Sequence, residues 1–234
     1  MIKQKWSSPM VIRNLLLTVI LTSTSCARKQ TGNSFDFTDA AMYAKSISVH
    51  ISVPMSGEKQ DNKHLRTGNY GTGTIVSSDG QILTNAHVVS GFDEVLVTLP
   101  DSRKFKATII YVSSKQDLAL LQIPVEGLTP AIFSRQSLRQ GEWVLSAGFP
   151  LDERFSVTSG IVSALHIGNL HIAEIEDYIQ LDTPLTKGYS GGPLLSKENE
   201  IVGLNTAVSS YTNNMSFAIP ANLIKAFLMK ASKY

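Results

Sequence analysis

The chain has 234 residues, 43% apolar and 17% charged, a globular balance that excludes a disordered chain. Twenty-one basic residues against nineteen acidic ones leave a net charge of +2, so no strong field favours nucleic acid or an anionic membrane. The single cysteine, Cys26, excludes an intramolecular disulfide and a cysteine-rich zinc module.

Lys3, Lys5 and Arg13 precede the apolar run Leu15–Leu21, and the small residues Thr22–Ser25 lead into Cys26. A basic start, a short apolar stretch and small residues before a cut are the parts of a secretory signal over residues 1–25. The run is shorter than the roughly 20 apolar residues a bilayer span needs. A cysteine in that place resembles a lipoprotein signal, with Cys26 acylated and the chain tied to a membrane. Cleavage after Ser25 with a free thiol stays open, because Ser23 stands where such signals usually carry Leu. Residues 26–36 read as a polar tether, and residues 37–234 as the folded domain.

Thr38–Lys45 suggests one or two helical turns, with Thr38 as N-cap. Ser46–Val53 alternates as a half-buried strand does, and 54–70 reads as a polar loop. Further strands are predicted at Gly73–Ser77, Gln81–Thr84, Val95–Leu99, Lys104–Val112 and Leu118–Ile123, with Asp79-Gly80 as a tight turn. After a linker near 125–140 come Glu142–Ala147, Ser156–Leu165, Tyr178–Leu181, Leu194–Ser196, Ile201–Ala207 and Met215–Ile219. Pro220 and Asn222 open a terminal helix whose apolar face is Leu223, Ile224, Phe227 and Leu228. Many short strands closed by one helix indicate barrels.

Peptide-bond hydrolysis through a covalent intermediate needs a nucleophile, a base and a group that orients the base. Ser190 lies among glycines in Gly188-Tyr189-Ser190-Gly191-Gly192, His87 in Thr84-Asn85-Ala86-His87, and Asp117 opens Asp117-Leu118-Ala119-Leu120. Each alone is ordinary: a glycine turn, a structural histidine, a turn aspartate. Together they run His87, Asp117, Ser190, at intervals of 117 − 87 = 30 and 190 − 117 = 73 residues. That is the chain order of the two-barrel chymotrypsin fold, and not that of subtilisins or α/β-hydrolases.

Over roughly residues 36–231 the chain resembles the HtrA (Deg-type) serine proteases of the chymotrypsin-like superfamily. The stretches that carry the likeness include Gly71-Thr72-Gly73-Thr74-Ile75, Asp79–Val89, Asp117–Leu120, Val157–Ser163, Ser190–Leu195, Gly203–Ala207 and Phe217–Pro220. The resemblance implies an all-β fold of two six-stranded antiparallel barrels with a short C-terminal helix. It implies His87 as general base, Asp117 as its orienting partner, Ser190 as nucleophile, and an oxyanion hole from the N–H groups of Gly188 and Ser190. The pocket for the side chain before the scissile bond is expected from Pro184, Leu185, Asn205, Thr206, Ala207 and Val208, apolar and suited to small aliphatic residues.

Polypeptides are the implied substrates, in an exported bacterial protein that is periplasmic or tethered to the outer membrane. No cofactor, metal or nucleic acid is implied. Tyr189 stands where the family usually has Asn, and cannot form the ion pair by which digestive relatives are activated, so N-terminal activation is not expected. No PDZ domain follows before Tyr234, so regulation through one is not expected. Family members commonly form trimers through residues before the first barrel. Phe35, Phe37 and Tyr43 could serve that contact or pack on the barrel. The acidic run Glu174, Glu176 and Asp177 reads as a solvated surface, and Asp182 as structural. A competing reading, from another class, is a protease-like binding or holdase protein with little catalysis.

Overall fold

The computed structural model describes residues 37–53, 69–92, 94–150, 154–208 and 215–233. The expected signal and tether, Cys26 and Phe35 among them, lie outside the described residues.

The domain opens with helix α1 (Thr38–Ile47). Six strands follow: β1 (Ser48–Val53), β2 (Asn69–Ile75), β3 (Gln81–Thr84), β4 (Val95–Thr98), β5 (Lys104–Ser113) and β6 (Leu118–Gln122). They close into a barrel in the order β1-β2-β3-β6-β5-β4, and every pairing is antiparallel. A short helix α2 (Ala86–Val89) interrupts the first barrel directly after β3. The second six are β7 (Trp143–Gly148), β8 (Ser156–Ile167), β9 (Tyr178–Leu181), β10 (Pro193–Ser196), β11 (Ile201–Val208) and β12 (Ser216–Pro220). They close in the same cyclic order, also antiparallel. Helix α3 (Ala221–Ala231) ends the domain. The expected architecture of two six-stranded barrels and a terminal helix is the one observed.

Each barrel is filled by its own apolar residues. Val49, Ile51, Ile82, Val97 and Leu121 fill the first, and Val144, Val162, Leu181 and Leu194 the second. A third cluster joins them: Leu83, Leu118 and Leu120 of the first barrel meet Tyr178, Leu204, Phe217 and Ile219 of the second. Ile224 and Phe227 of α3 close over that seam, so the predicted helical face is the face that packs. Among the described residues, closure of both sheets leaves no open strand edge to pair with another chain.

At the N-terminal end of the domain, two helix boundaries and one strand's burial differ from expectation for local reasons. Helix α1 begins one residue early, because the Ala41 N–H already donates to the Phe37 carbonyl at 2.7 Å. Thr38 is therefore inside the helix, and Phe37 is the cap position. The same helix runs on to Ile47, since the hydroxyls of Ser46 and Ser48 donate back to the carbonyls of Tyr43 and Ala44. Strand β1 is buried on both faces rather than one, its outer face lying beneath the second barrel, where His50 meets Phe149.

Phe37 and Tyr43 pack on the second barrel: Phe37 against Trp143, while the Tyr43 hydroxyl accepts the Ile132 N–H at 2.9 Å. The acidic run is not a merely solvated surface. Glu176 accepts the backbone N–H groups of Leu170, Ile172 and Ala173 and so builds its own loop. Asp182 accepts the Ile161 N–H at 2.6 Å, a structural bond as expected.

Candidate active site

His87 is carried on α2, whose neighbours Ala86, Val88 and Val89 are buried in the first barrel. Three apolar side chains thus fix a very short helix and leave the imidazole facing outward, about half exposed at 49%. Asp117 sits in the turn before β6 at φ +54°, a left-handed conformation that non-glycine residues rarely adopt. Such a conformation costs on the order of 1–3 kcal/mol and persists only where surrounding bonds impose it.

Those bonds are present. The Asp117 carboxylate lies 2.8 and 3.0 Å from His87 Nδ1, and accepts the His87 backbone N–H at 3.0 Å. Thr206 Oγ1 donates to it at 2.7 Å, and Asn85 Nδ2 donates to the Asp117 carbonyl oxygen at 2.9 Å. An ionised carboxylate only accepts, so Nδ1 carries the imidazole proton and Nε2 keeps its lone pair. His87 thereby has one basic nitrogen, directed away from the acid.

Thr206 reaches Asp117 because β11 bulges there. Asn205 pairs with Ala218 and Ala207 with Phe217, which leaves Thr206 as the extra residue. A bulge redirects the side chain and carbonyl it carries. Here the hydroxyl turns to Asp117, and the Thr206 carbonyl accepts the Ser190 hydroxyl at 3.0 Å.

The loop around Ser190 is held from both barrels. Thr72 of β2 gives twice: its N–H donates to the Ser190 carbonyl at 2.8 Å, and its Oγ1 to the Gly188 carbonyl at 2.6 Å, while its own carbonyl accepts the Thr84 hydroxyl at 2.8 Å. The Phe149 N–H points at the same pair, 3.1 Å from Thr72 Oγ1 and 3.4 Å from the Gly188 oxygen. Gly188 at φ +102° and Gly191 at φ +83° occupy conformations that favour glycine, and a Cβ on Gly191 would collide with the Thr72 carbonyl. With the two carbonyls tied back, the N–H groups of Gly188 and Ser190 have no protein acceptor among the described residues.

Beside Ser190 lies a cavity of about 230 Å³ lined by Leu185, Thr186, Lys187, Tyr189, Asn205 and Thr206. Of the residues expected there, Leu185, Asn205 and Thr206 take part. Pro184 does not: Thr183 is buried, with its carbonyl bonded by Ser216 Oγ, and the next residue turns outward to solvent. The side chains of Ala207 and Val208 lie outside the described residues. Tyr189, Thr186 and Lys187 were not anticipated. The wall is firm, since Asn205 is fully buried and bonded to Ser146 Oγ at 3.0 Å. Burial raises the Tyr189 phenol above its ordinary value, so it stays neutral in the lining. Among the described residues no cluster of three or more His, Cys, Asp or Glu side chains could hold a metal.

A family profile described as a trypsin-like peptidase domain matches residues 71–204, more than half of the chain. That span contains His87, Asp117 and Ser190 and stops just short of Asn205 and Thr206. The chain belongs to the trypsin-like peptidases, in their HtrA-type branch. It is 36% identical over 193 residues to a probable periplasmic DegP-like serine endoprotease of Chlamydia pneumoniae, covering 81% of this chain and 38% of the relative. It is 35% identical over 229 residues to the mitochondrial serine protease HTRA2 of Drosophila sechellia, covering 91% and 52%. Among solved structures, an HtrA-type protease AlgW with a tripeptide matches at a TM-score of 0.75 and 29% identity, over 83% of this chain and 62% of that one. The chain thus spans about two fifths to one half of these curated relatives.

Proposed function

We propose that this HtrA-type chain is an exported serine endopeptidase that hydrolyses peptide bonds in unfolded or damaged polypeptides. The observation that carries the reading is the Asp117 carboxylate bonded to His87 Nδ1, with Ser190 on the adjoining loop. In this reading the Ser190 hydroxyl leaves the Thr206 carbonyl, gives its proton to His87 Nε2, and its oxygen bonds to the scissile carbonyl carbon. The resulting oxyanion takes the N–H groups of Gly188 and Ser190, donors worth roughly 10²–10³ in rate apiece in such sites. His87 then passes the proton to the departing amine as the C–N bond breaks. Water repeats the sequence on the acyl-enzyme and restores the Ser190 hydroxyl.

The test is fluorophosphonate labelling of Ser190 together with digestion of casein. Ser190→Ala and His87→Ala each lose activity, by up to about 10⁶-fold, and the double variant is scarcely worse, because such residues act as a unit. Activity falls on acidification, since an imidazolium cannot accept the serine proton. A wild-type chain that takes no label and leaves casein intact would favour the holdase reading instead.

Export rests on the N-terminal signal pattern and on DegP-like relatives that are named periplasmic. Residues 1–25 are the proposed signal, and acylation of Cys26 the proposed tether to a membrane. Mass spectrometry of the mature N-terminus decides both. An intact Met1 would exclude export, and an unmodified Cys26 at the new terminus would exclude lipidation. A homotrimer is supported by exposed Met42, Ile132 and Trp143 beside α1, and analytical ultracentrifugation tests it.

A further inference from the structure

We infer that Lys187 selects substrates that carry an acidic side chain within the first two residues after the scissile bond. This rests on the reading of Ser190 as the nucleophile. The Lys187 Nζ lies 4.8 Å from the centroid of the Tyr70 ring, a cation–π distance. Tyr70 itself is tied down: it is half-buried on β2, and its hydroxyl points to the Pro150 carbonyl at 3.4 Å. The next residue, Gly71, lies so close to the nucleophile loop that a Cβ there would sit 3.1 Å from the Ser190 carbonyl oxygen. Tyr70 and Lys187 therefore meet beside Ser190, one from each barrel.

The position relative to the pocket gives the charge its meaning. The cavity extends from Ser190 toward Asn205 and Thr206, on the second barrel. It takes the side chain on the acyl side of the bond. Tyr70 belongs to the first barrel, so the residues of the leaving amine pass over the flank where its ring holds the ammonium. Lys187 is exposed, and makes no ion pair with an acidic residue among the described residues. Asp117, the acid nearest the chemistry, is already saturated by His87 and Thr206. A carboxylate supplied by the substrate would complete the pair. Because the ring restrains the lysine stem, less side-chain freedom is lost when that pair forms.

The experiment uses the mature chain and peptides of one sequence, varied only in the first two residues after the cut, as Glu, Gln or Lys. At low salt kcat/KM for Glu exceeds that for Lys by about three- to tenfold, the size an exposed attraction and its matching repulsion give. The ratio shrinks toward one in high salt, as screening requires. Lys187→Gln brings the ratio near one, and Lys187→Glu inverts it. Tyr70→Leu, which removes the ring, lowers the ratio while keeping its sign. Equal rates for the three wild-type peptides would overturn the inference and leave the hydrolytic reading standing. Dominant cleavage after Glu would also overturn it, by placing the ammonium inside the pocket. No cleavage of any peptide and no fluorophosphonate uptake would sink the hydrolytic reading and this one with it.

Discussion

The hydroxyl of Thr72, in the first barrel, donates to the carbonyl of Gly188, in the second, at 2.6 Å. That bond ties down the residue whose N–H is the proposed oxyanion donor. Thr72→Val keeps the shape and removes the bond. The Gly188 carbonyl then retains only the Phe149 N–H at 3.4 Å, and Phe149 loses its nearer acceptor. Orphaning a buried polar group costs about 1–3 kcal/mol. The expected outcome is a lower melting temperature together with a kcat reduced tenfold or more, and Thr72→Ser restores both. A Thr72→Val chain with wild-type kcat would show that the loop holds its form without this bond.

Thr206 supports a second prediction, about the acid. Its hydroxyl gives Asp117 a charge-assisted bond in a buried setting, where such bonds are worth about 1.5–3 kcal/mol. Thr206→Val leaves the carboxylate and its bond to His87 in place, but frees Asp117 to turn. Activity should fall about tenfold, and Thr206→Ser should recover it. Asp117→Asn is far more severe, near the 10⁴-fold loss expected when an amide imposes the wrong imidazole tautomer. Steady-state kinetics on one casein-derived peptide separate the two, and equal losses would mean that Thr206 does more than position the acid.

The loop 168–177 is predicted to respond to acid. Burial acts to raise the Glu176 carboxyl, but the bonds from Ile172, Leu170 and Ala173 outweigh it and hold it below the ordinary carboxylate range. A carboxyl depressed in the folded state adds stability above its unfolded value, and that stability is lost as pH falls through the folded one. Amide exchange at Leu170, Ile172 and Ala173 is therefore protected at neutral pH and loses protection as pH falls through the depressed Glu176 carboxyl. Glu176→Ala removes the protection at neutral pH. The same loop touches the turn that bears Asp117, through Ile175 N–H to the Lys115 carbonyl at 2.7 Å and a Lys115–Glu174 ion pair. Exchange at neutral pH that is the same in Glu176→Ala as in the wild type would refute the role given to Glu176.

Most of the fold was legible because barrel strands announce themselves by short apolar runs between turns. Eleven of the expected strands have counterparts after β1, from β2 through β12, with ends shifted by a few residues. The start of β2 was missed because Asn69, Tyr70, Gly71 and Thr72 carry no apolar pattern, and backbone bonds to β1 alone make them a strand. His87, Asp117 and Ser190 stood out as residue types in a telling order. Their supports did not. Thr72 and Asn85 look like ordinary strand-end residues, and Thr206 owes its place to a bulge that only the pairing with β12 creates. The positive φ of Asp117 is likewise unreadable locally, since it is imposed by the bonds of the tertiary site.

The last prediction is which bond is cut. Leu185 and Tyr189 are buried and give the cavity its apolar surface, while Thr186, Asn205 and Thr206 close it with uncharged groups. Its volume of about 230 Å³ has room for an aliphatic side chain, whose burial contributes about 1.5–3 kcal/mol. Among the described residues no carboxylate lines it. A lysine or arginine entering would leave a charge unpaired in a partly desolvated space, which costs several kcal/mol. Lys187 at the rim adds repulsion to that penalty. An acidic residue gains little in return, because the ammonium is already engaged with the Tyr70 ring. Val, Ala, Ile and Leu are therefore expected before the scissile bond. One methylene changes preference by only about 1–3 kcal/mol, so cleavage is spread over several aliphatic residues rather than confined to one. Proteomic mapping of cuts in an unfolded substrate reads this directly. Sites dominated by Lys or Arg would require an acid in the pocket, and none of its lining residues supplies one.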